Sequence, residues 1–112
     1  MSNNTSKIHK RQLCILGSTG SIGQSTLDIV RRHPNKFTVV SLTANTSVNV
    51  IFEQCLEFSP QIVVLVSKNH AEQLMSRLND ANMADIIVKS GSDALVELAE
   101  SDKVDTVMAA IV

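Results

Sequence analysis

The chain has 112 residues, 44% of them apolar, which is enough for one compact core and too few for two. Ten Lys and Arg stand against eleven Asp and Glu, for a formal net charge of −1, and the three aromatic residues are all Phe. That excludes the basic surplus and the Tyr or Trp platforms that nucleic acid selects, and no stretch approaches the roughly 20 apolar residues of a membrane span, so neither nucleic acid nor membrane is an expected partner.

Residues 1–10, MSNNTSKIHK, are polar and charged with no apolar run, and read as a flexible tail rather than a signal peptide. Residues 11–112 read as one domain. Cys14 and Cys55 sit in apolar segments without C-x-x-C spacing or a neighbouring His, the pattern of buried thiols in a reducing compartment. The expected location is cytoplasmic.

In chain order, residues 13–16 (LCIL) form a short apolar run ending at Gly17, as for a strand buried on both faces. Ile22, Thr26, Ile29 and Val30 follow at i, i+4, i+7 and i+8 and predict a helical face; Arg31, Arg32 and His33 suit its C-terminal end, and Pro34 stops it. Residues 37–43 (FTVVSLT) predict a second strand, and Val48, Ile51, Phe52 and Cys55 a second helix. Ser59-Pro60 breaks the chain before IVVLV at 62–66, the clearest buried strand. Ala71, Leu74, Met75 and Leu78 make a third helical face with Ser67 as cap. Residues 79–82 read as a turn, DIIV at 85–88 as a fourth strand, and Ser90-Gly91-Ser92 as the turn into a helix carrying Ala94, Leu95, Leu98 and Ala99. A fifth apolar run, VDTVMAAIV, closes the sequence.

Strict alternation of strand and helix implies an α/β fold, a Rossmann-type doubly wound parallel sheet with helices on both faces. Because the chain finishes inside a central-strand pattern, Met108-Ala109-Ala110-Ile111-Val112, the sheet is expected to be truncated at its C-terminal end, with any catalytic domain outside this chain.

The stretch GSTGSIG links the first strand to the first helix with glycines at G-x-x-G-x-x-G spacing. A helix N-terminus presents unpaired N–H groups and partial positive charge, so a phosphate is held there by hydrogen bonds and field together. Gly17 permits the tight turn, Gly20 lets the backbone approach a pyrophosphate, and Gly23 lets the helix pack closely, while Ser18, Thr19 and Ser21 add hydroxyls. The spacing differs from G-x-G-x-x-G, and a P-loop is excluded because no Lys-Ser/Thr follows the last glycine. Dinucleotide binding is favoured over a merely tight strand-to-helix turn. At the end of the second strand, where an acidic residue would hold the ribose of NAD, the chain has Thr43-Ala44-Asn45-Thr46-Ser47. These uncharged amide and hydroxyl groups favour NADP; the alternative reading of Thr46 or Ser47 is a helix cap.

LGSTGSIGQSTLDIVRRHPNKF, EQCLEFSP and VDTVMAAIV together resemble the N-terminal NADPH-binding region of the bacterial 1-deoxy-D-xylulose 5-phosphate reductoisomerase family, over nearly the whole chain. The resemblance implies the NADPH-dependent conversion of 1-deoxy-D-xylulose 5-phosphate to 2-C-methyl-D-erythritol 4-phosphate in non-mevalonate isoprenoid biosynthesis. It implies a homodimer when full length, with Mg²⁺ or Mn²⁺ and the substrate held by a downstream domain. It places the backbone at Thr19, Gly20, Ser21 and Ile22 on the cofactor phosphates, and Asn45, Thr46 and Ser47 near the adenosine ribose and its 2′-phosphate. The full expected cofactor-binding set is Gly17, Ser18, Thr19, Gly20, Ser21, Ile22, Gly23, Ala44, Asn45, Thr46 and Ser47. Many members have a Gly-Lys-Asn type sequence where this chain has Asn45-Thr46-Ser47, which removes a lysine from the 2′-phosphate side.

No catalytic residue and no metal ligand is expected within 1–112. Asp80, Asp85, Asp93, Asp102 and Asp105 lack ligand spacing, and His9, His33 and His70 are scattered. The fragment alone is expected to bind NADPH without catalysing. Two other classes fit the loop: a non-catalytic dinucleotide-sensing module, and the NADP domain of another dehydrogenase, such as a semialdehyde dehydrogenase with a nucleophilic Cys further on.

Overall fold

The computed structural model describes residues 10–99 and 106–109. Nine elements alternate along them: β1 (Arg11–Leu16), α1 (Ser21–Arg32), β2 (Phe37–Ala44), α2 (Val48–Phe58), β3 (Ile62–Leu65), α3 (Lys68–Asp80), β4 (Ile87–Ser90), α4 (Ser92–Ala99) and β5 (Thr106–Ala109). All strand pairs are parallel, in the order β4-β3-β2-β1-β5. From β1 to β4 the chain steps in one direction, so right-handed crossovers put α1, α2 and α3 on one face. The step to β5 reverses direction and puts α4 on the other.

Two clusters of buried side chains record those two faces. Leu13, Ile15, Val63 and Leu65 pack with Leu27 of α1, Ile51 and Cys55 of α2, and Leu74 and Leu78 of α3. The alternate residues Cys14 and Val64 pack with Ala94 of α4. Continuous apolar runs such as LCIL in β1 and IVVL in β3 are what a sheet covered on both sides requires. The expected α/β, doubly wound architecture with helices on both faces is the observed one.

Several local expectations are corrected. The buried stripe of α1 is Gly23, Leu27 and Val30, whereas Ile22 and Ile29 are 58% and 52% exposed. Close packing of Gly23 rotates the helix so that positions four and seven beyond it face the sheet. The Thr26 hydroxyl, placed in the core by the sequence pattern, bonds back to the Ile22 carbonyl at 2.9 Å. On α3, Ala71, Leu74 and Leu78 are buried but Met75 is exposed. That helix runs to Asp80, into the predicted turn, and the reversal comes at Asn82 with φ 62°. The fourth strand lies two residues later than expected because Ile62 pairs with Ile87 and Leu65 with Ser90. Strand β1 begins earlier, at Arg11, held by its N–H on the Lys36 carbonyl. Strand β3 stops at Leu65, leaving Val66 exposed beyond it. Ser67 does cap α3, accepting from the His70 N–H. Expectations for residues 1–9, for Asp102 and Asp105, and for Ala110-Ile111-Val112 lie outside the described residues, as do those for the side chains of Leu95, Leu98 and Ala99.

Helices α1 and α2 are also tied at their C-terminal ends. The Arg31 guanidinium bridges Asp28 at 3.1 Å and Glu57 at 2.7 Å and lies over the Phe58 ring. The contact holds the Glu57 carboxyl below its ordinary range. All three charged side chains are exposed, so the bridge orients the helix ends more than it stabilises them.

Both cysteines are buried, as the sequence pattern implied. Burial pushes the Cys55 thiol up to about 12 and raises Cys14 too. The unfolded chain gives up its thiol protons near the ordinary range, before the folded chain does. Their contribution to stability is therefore whole below pH ~9 and declines as pH rises toward 12. Urea unfolding at pH ~8 and ~10 should show a lower midpoint at the higher pH, and Cys55→Ala should flatten that slope.

Candidate functional site

The site is built at the carboxyl ends of β1, β2 and β3, the edge of a doubly wound sheet where ligands bind. Gly17 leaves β1 with φ 68°, a left-handed conformation that a side chain disfavours. The turn so made is pinned from below by the end of β2. The Gly17 N–H donates to Thr43 Oγ1 at 2.9 Å, and the Ser18 N–H donates to the Thr43 carbonyl at 2.8 Å.

The carbonyls that follow are then taken one after another by donors of the protein. Gly17 O accepts from the Gly20 N–H at 3.1 Å, and Ser18 O accepts from Gln54 Nε2 at 2.8 Å. Thr19 O accepts from Gln24 Nε2 at 2.7 Å, and Gly20 O from the Gln24 N–H at 2.9 Å. Four successive acceptors are thereby occupied within the protein. What the loop has left to offer is donors, the first-turn N–H groups of Ser21, Ile22 and Gly23, because the carbonyls four residues back, of Gly17, Ser18 and Thr19, are bonded to other donors. No side chain caps α1, and no acidic residue lies in its first turn. The result is a concave run of N–H groups at the positive end of a helix, suited to an anion.

The second wall is the turn between β2 and α2. Ser47 occupies the N-cap position of α2 but makes no side-chain cap hydrogen bond; the Val48 N–H is bonded to the Thr46 carbonyl instead. The cap reading of Ser47 is therefore not what the structure has, and the side chains of Asn45, Thr46 and Ser47 are exposed. Helix α3, whose N-terminus is capped, provides the contrast.

Between these walls lies a cleft of about 470 Å³ lined by Leu16, Gly17, Thr19, Gly20, Thr43, Ala44, Asn45, Thr46, Ser47 and Val66. None of these residues is charged, so the field inside comes from the two helix N-termini. It gathers seven of the eleven expected residues: Gly17, Thr19, Gly20, Ala44, Asn45, Thr46 and Ser47. The other four stand elsewhere. Gly23 is buried beneath the turn, and Ser21 and Ile22 are exposed on α1 outside the cleft lining. Ser18 is fully buried, and its hydroxyl donates to Gln54 Oε1 at 2.7 Å, so that hydroxyl is not available to a ligand.

Sequence reasoning missed Leu16, Val66 and Gln54, and it named Thr43 among the groups near the ribose but not as the residue that pins the turn. Thr43 and Val66 were legible in principle as the last residues of two predicted strands. Gln54 carried one signal, a glutamine on a helical face otherwise made of Val48, Ile51 and Cys55. Among the described residues no three His, Cys, Asp or Glu side chains come together to hold a metal ion, and no helix is long and apolar enough to cross a membrane.

With that geometry in hand, comparison with known proteins is direct. A model of the family described as 1-deoxy-D-xylulose 5-phosphate reductoisomerase matches residues 13–112. The enzyme of that name from Colwellia psychrerythraea is 66% identical over 103 residues, 92% of this chain and 25% of that protein. A crystal structure of DOX-P reductoisomerase in complex with magnesium superposes with a TM-score of 0.86 at 40% identity, over 92% of this chain and 25% of that one. Another, in complex with NADPH, fosmidomycin and magnesium, gives 0.85 at 40% identity over 90% and 24%. The chain spans about a quarter of the length of the relatives it matches.

Proposed function

The chain belongs to the 1-deoxy-D-xylulose 5-phosphate reductoisomerase family, and from that premise we propose that residues 11–112 are the NADPH-binding part of an enzyme converting 1-deoxy-D-xylulose 5-phosphate to 2-C-methyl-D-erythritol 4-phosphate. The observation that carries the cofactor reading is the occupation of four consecutive loop carbonyls by donors of the protein, which leaves the N–H groups of an uncapped helix N-terminus free next to Gly20, where the loop lines the cleft. The pyrophosphate lies against Thr19, Gly20 and the N–H groups of Ser21 and Ile22. The adenosine ribose and 2′-phosphate lie toward Asn45, Thr46 and Ser47, where exposed hydroxyl and amide groups and the uncapped α2 N-terminus accept a dianion with no carboxylate to repel it.

When bound, NADPH supplies the hydride. This chain's residues bind the cofactor and set its direction, a positioning role that hydride transfer requires because the reacting atoms must be held within near-attack distance. The described residues do not fit a divalent metal, so Mg²⁺ or Mn²⁺ and the ketose phosphate are assigned to other parts of the enzyme. The same proposal includes a homodimer at full length and a cytoplasmic location.

Calorimetric titration of the chain with NADPH and with NADH tests the reading. NADPH should bind at least about tenfold more tightly, a difference of about 1.4 kcal/mol assigned to the 2′-phosphate contacts. Neither cofactor should be consumed when 1-deoxy-D-xylulose 5-phosphate and Mg²⁺ are added. Equal or tighter NADH binding would refute the assignment of Asn45, Thr46 and Ser47, and turnover by this chain would refute the division of labour.

A further inference from the structure

We propose that Gln54 is a positioning residue for the cofactor pyrophosphate, acting through the Ser18 carbonyl. The inference rests on the NADPH reading above and goes beyond it, because Gln54 does not line the cleft. It lies on α2, is 8% exposed, and spends both ends of its amide on one residue 36 positions away. Its Nε2 donates to Ser18 O at 2.8 Å, and its Oε1 accepts from the Ser18 hydroxyl at 2.7 Å.

The two bonds do different things. The bond from the hydroxyl satisfies two buried polar groups and is a matter of stability. The bond to the carbonyl decides which way the peptide between Ser18 and Thr19 faces. Held by Gln54, that oxygen is bonded in the interior, to a side chain that does not line the cleft. Released, it is free to turn toward the place where the pyrophosphate lies, and an acceptor there repels an anion. A second consequence follows from where Gln54 sits. Helix α2 carries Ser47 at its N-terminus, the opposite wall of the cleft, so the Gln54–Ser18 pair joins the phosphate-binding wall to the ribose wall and sets the distance between them.

The residue is thus distinguished from an ordinary buried amide by an unequal effect on two ligands. With the full 112-residue chain, NADPH and adenosine 2′-monophosphate are titrated calorimetrically into the wild type, Gln54→Met and Ser18→Ala, and the melting temperature of each is recorded. In Gln54→Met the NADPH affinity should fall about tenfold or more, while adenosine 2′-monophosphate, which does not reach the glycine loop, should change by less than about twofold. Ser18→Ala should melt lower, because Gln54 Oε1 loses its donor, yet keep NADPH affinity within about twofold since the carbonyl is still held. Gln54→Glu, nearly isosteric and able to keep the hydroxyl bond, should repeat the unequal loss and serves if the Met variant does not fold.

Unchanged NADPH affinity in the folded Gln54 variants would overturn the proposal. So would equal losses for the two ligands, or affinity losses that simply follow melting temperature across Gln54→Met and Ser18→Ala. If the wild type binds neither ligand, the cofactor reading fails, and the positioning role fails with it; if the wild type binds both, only the role of Gln54 is at stake.

Discussion

Gly23→Ala is expected to destabilise the fold by about 3 kcal/mol, the upper end of what overpacking does, and to weaken NADPH binding with it. A Cβ at this position would stand 2.3 Å from the Gly17 carbonyl oxygen, 2.6 Å from Ser18 Cα and 2.8 Å from Ser18 C. All three are backbone atoms, so no side chain can swing aside. The turn cannot retreat either, because Thr43 holds it from β2 and Gln54 from α2. Relief must come from lifting α1 off the sheet, which opens the contacts of Leu27 and Val30 in the main core. Urea unfolding gives the number directly. A loss under about 1 kcal/mol would mean that α1 shifts along the turn more easily than this packing implies.

Gly20→Val is expected to have the opposite profile, with the fold intact and the cofactor lost. Gly20 precedes α1 with φ −80° and ψ 174°, an extended conformation that valine adopts readily. Nothing in the backbone conformation there calls for glycine. The demand comes from the cleft, which Gly20 lines beside Thr19 and opposite Asn45, Thr46 and Ser47. A branched side chain projecting there occupies the path of the pyrophosphate, and NADPH affinity should drop by at least about a hundredfold, or about 2.7 kcal/mol. Melting should move little. Retained affinity would show that the loop is a structural turn only. Comparing the two variants separates the two uses of glycine in one seven-residue stretch, one for packing and one for a ligand.

The resemblance of the glycine loop to other nucleotide-binding turns does not by itself say which hydroxyls reach a ligand. Ser18, Thr19 and Ser21 look equivalent in the string GSTGSIG. In the fold they are not. Ser18 faces inward onto Gln54, Thr19 faces the cleft, and Ser21 begins α1 outside the cleft lining. A similar division holds for the apolar pattern of α1, where the spacing put Ile22 and Ile29 on the buried face and the fold buries Leu27 instead. The close approach of Gly23 to the turn chose between the two faces.

The alternation of apolar runs with helical spacing, the position of the glycines between the first strand and helix, and the absence of acid after the second strand were all legible in the residues. They are local properties: period, turn chemistry and charge are written within a few positions of one another, and they sufficed for the α/β class, while the family came from the resemblance of three longer blocks of sequence. Tertiary structure alone decided the orientation of the loop. Its first N–H groups are held by Thr43 and its carbonyls by Gln24 and Gln54, and the last of these arrives from a helix 36 residues on. A one-dimensional pattern records that a glutamine interrupts an apolar stripe. It takes the packing of α2 beside the turn, in a dry interior where an unpaired amide is costly, to determine that both ends of that amide close on Ser18.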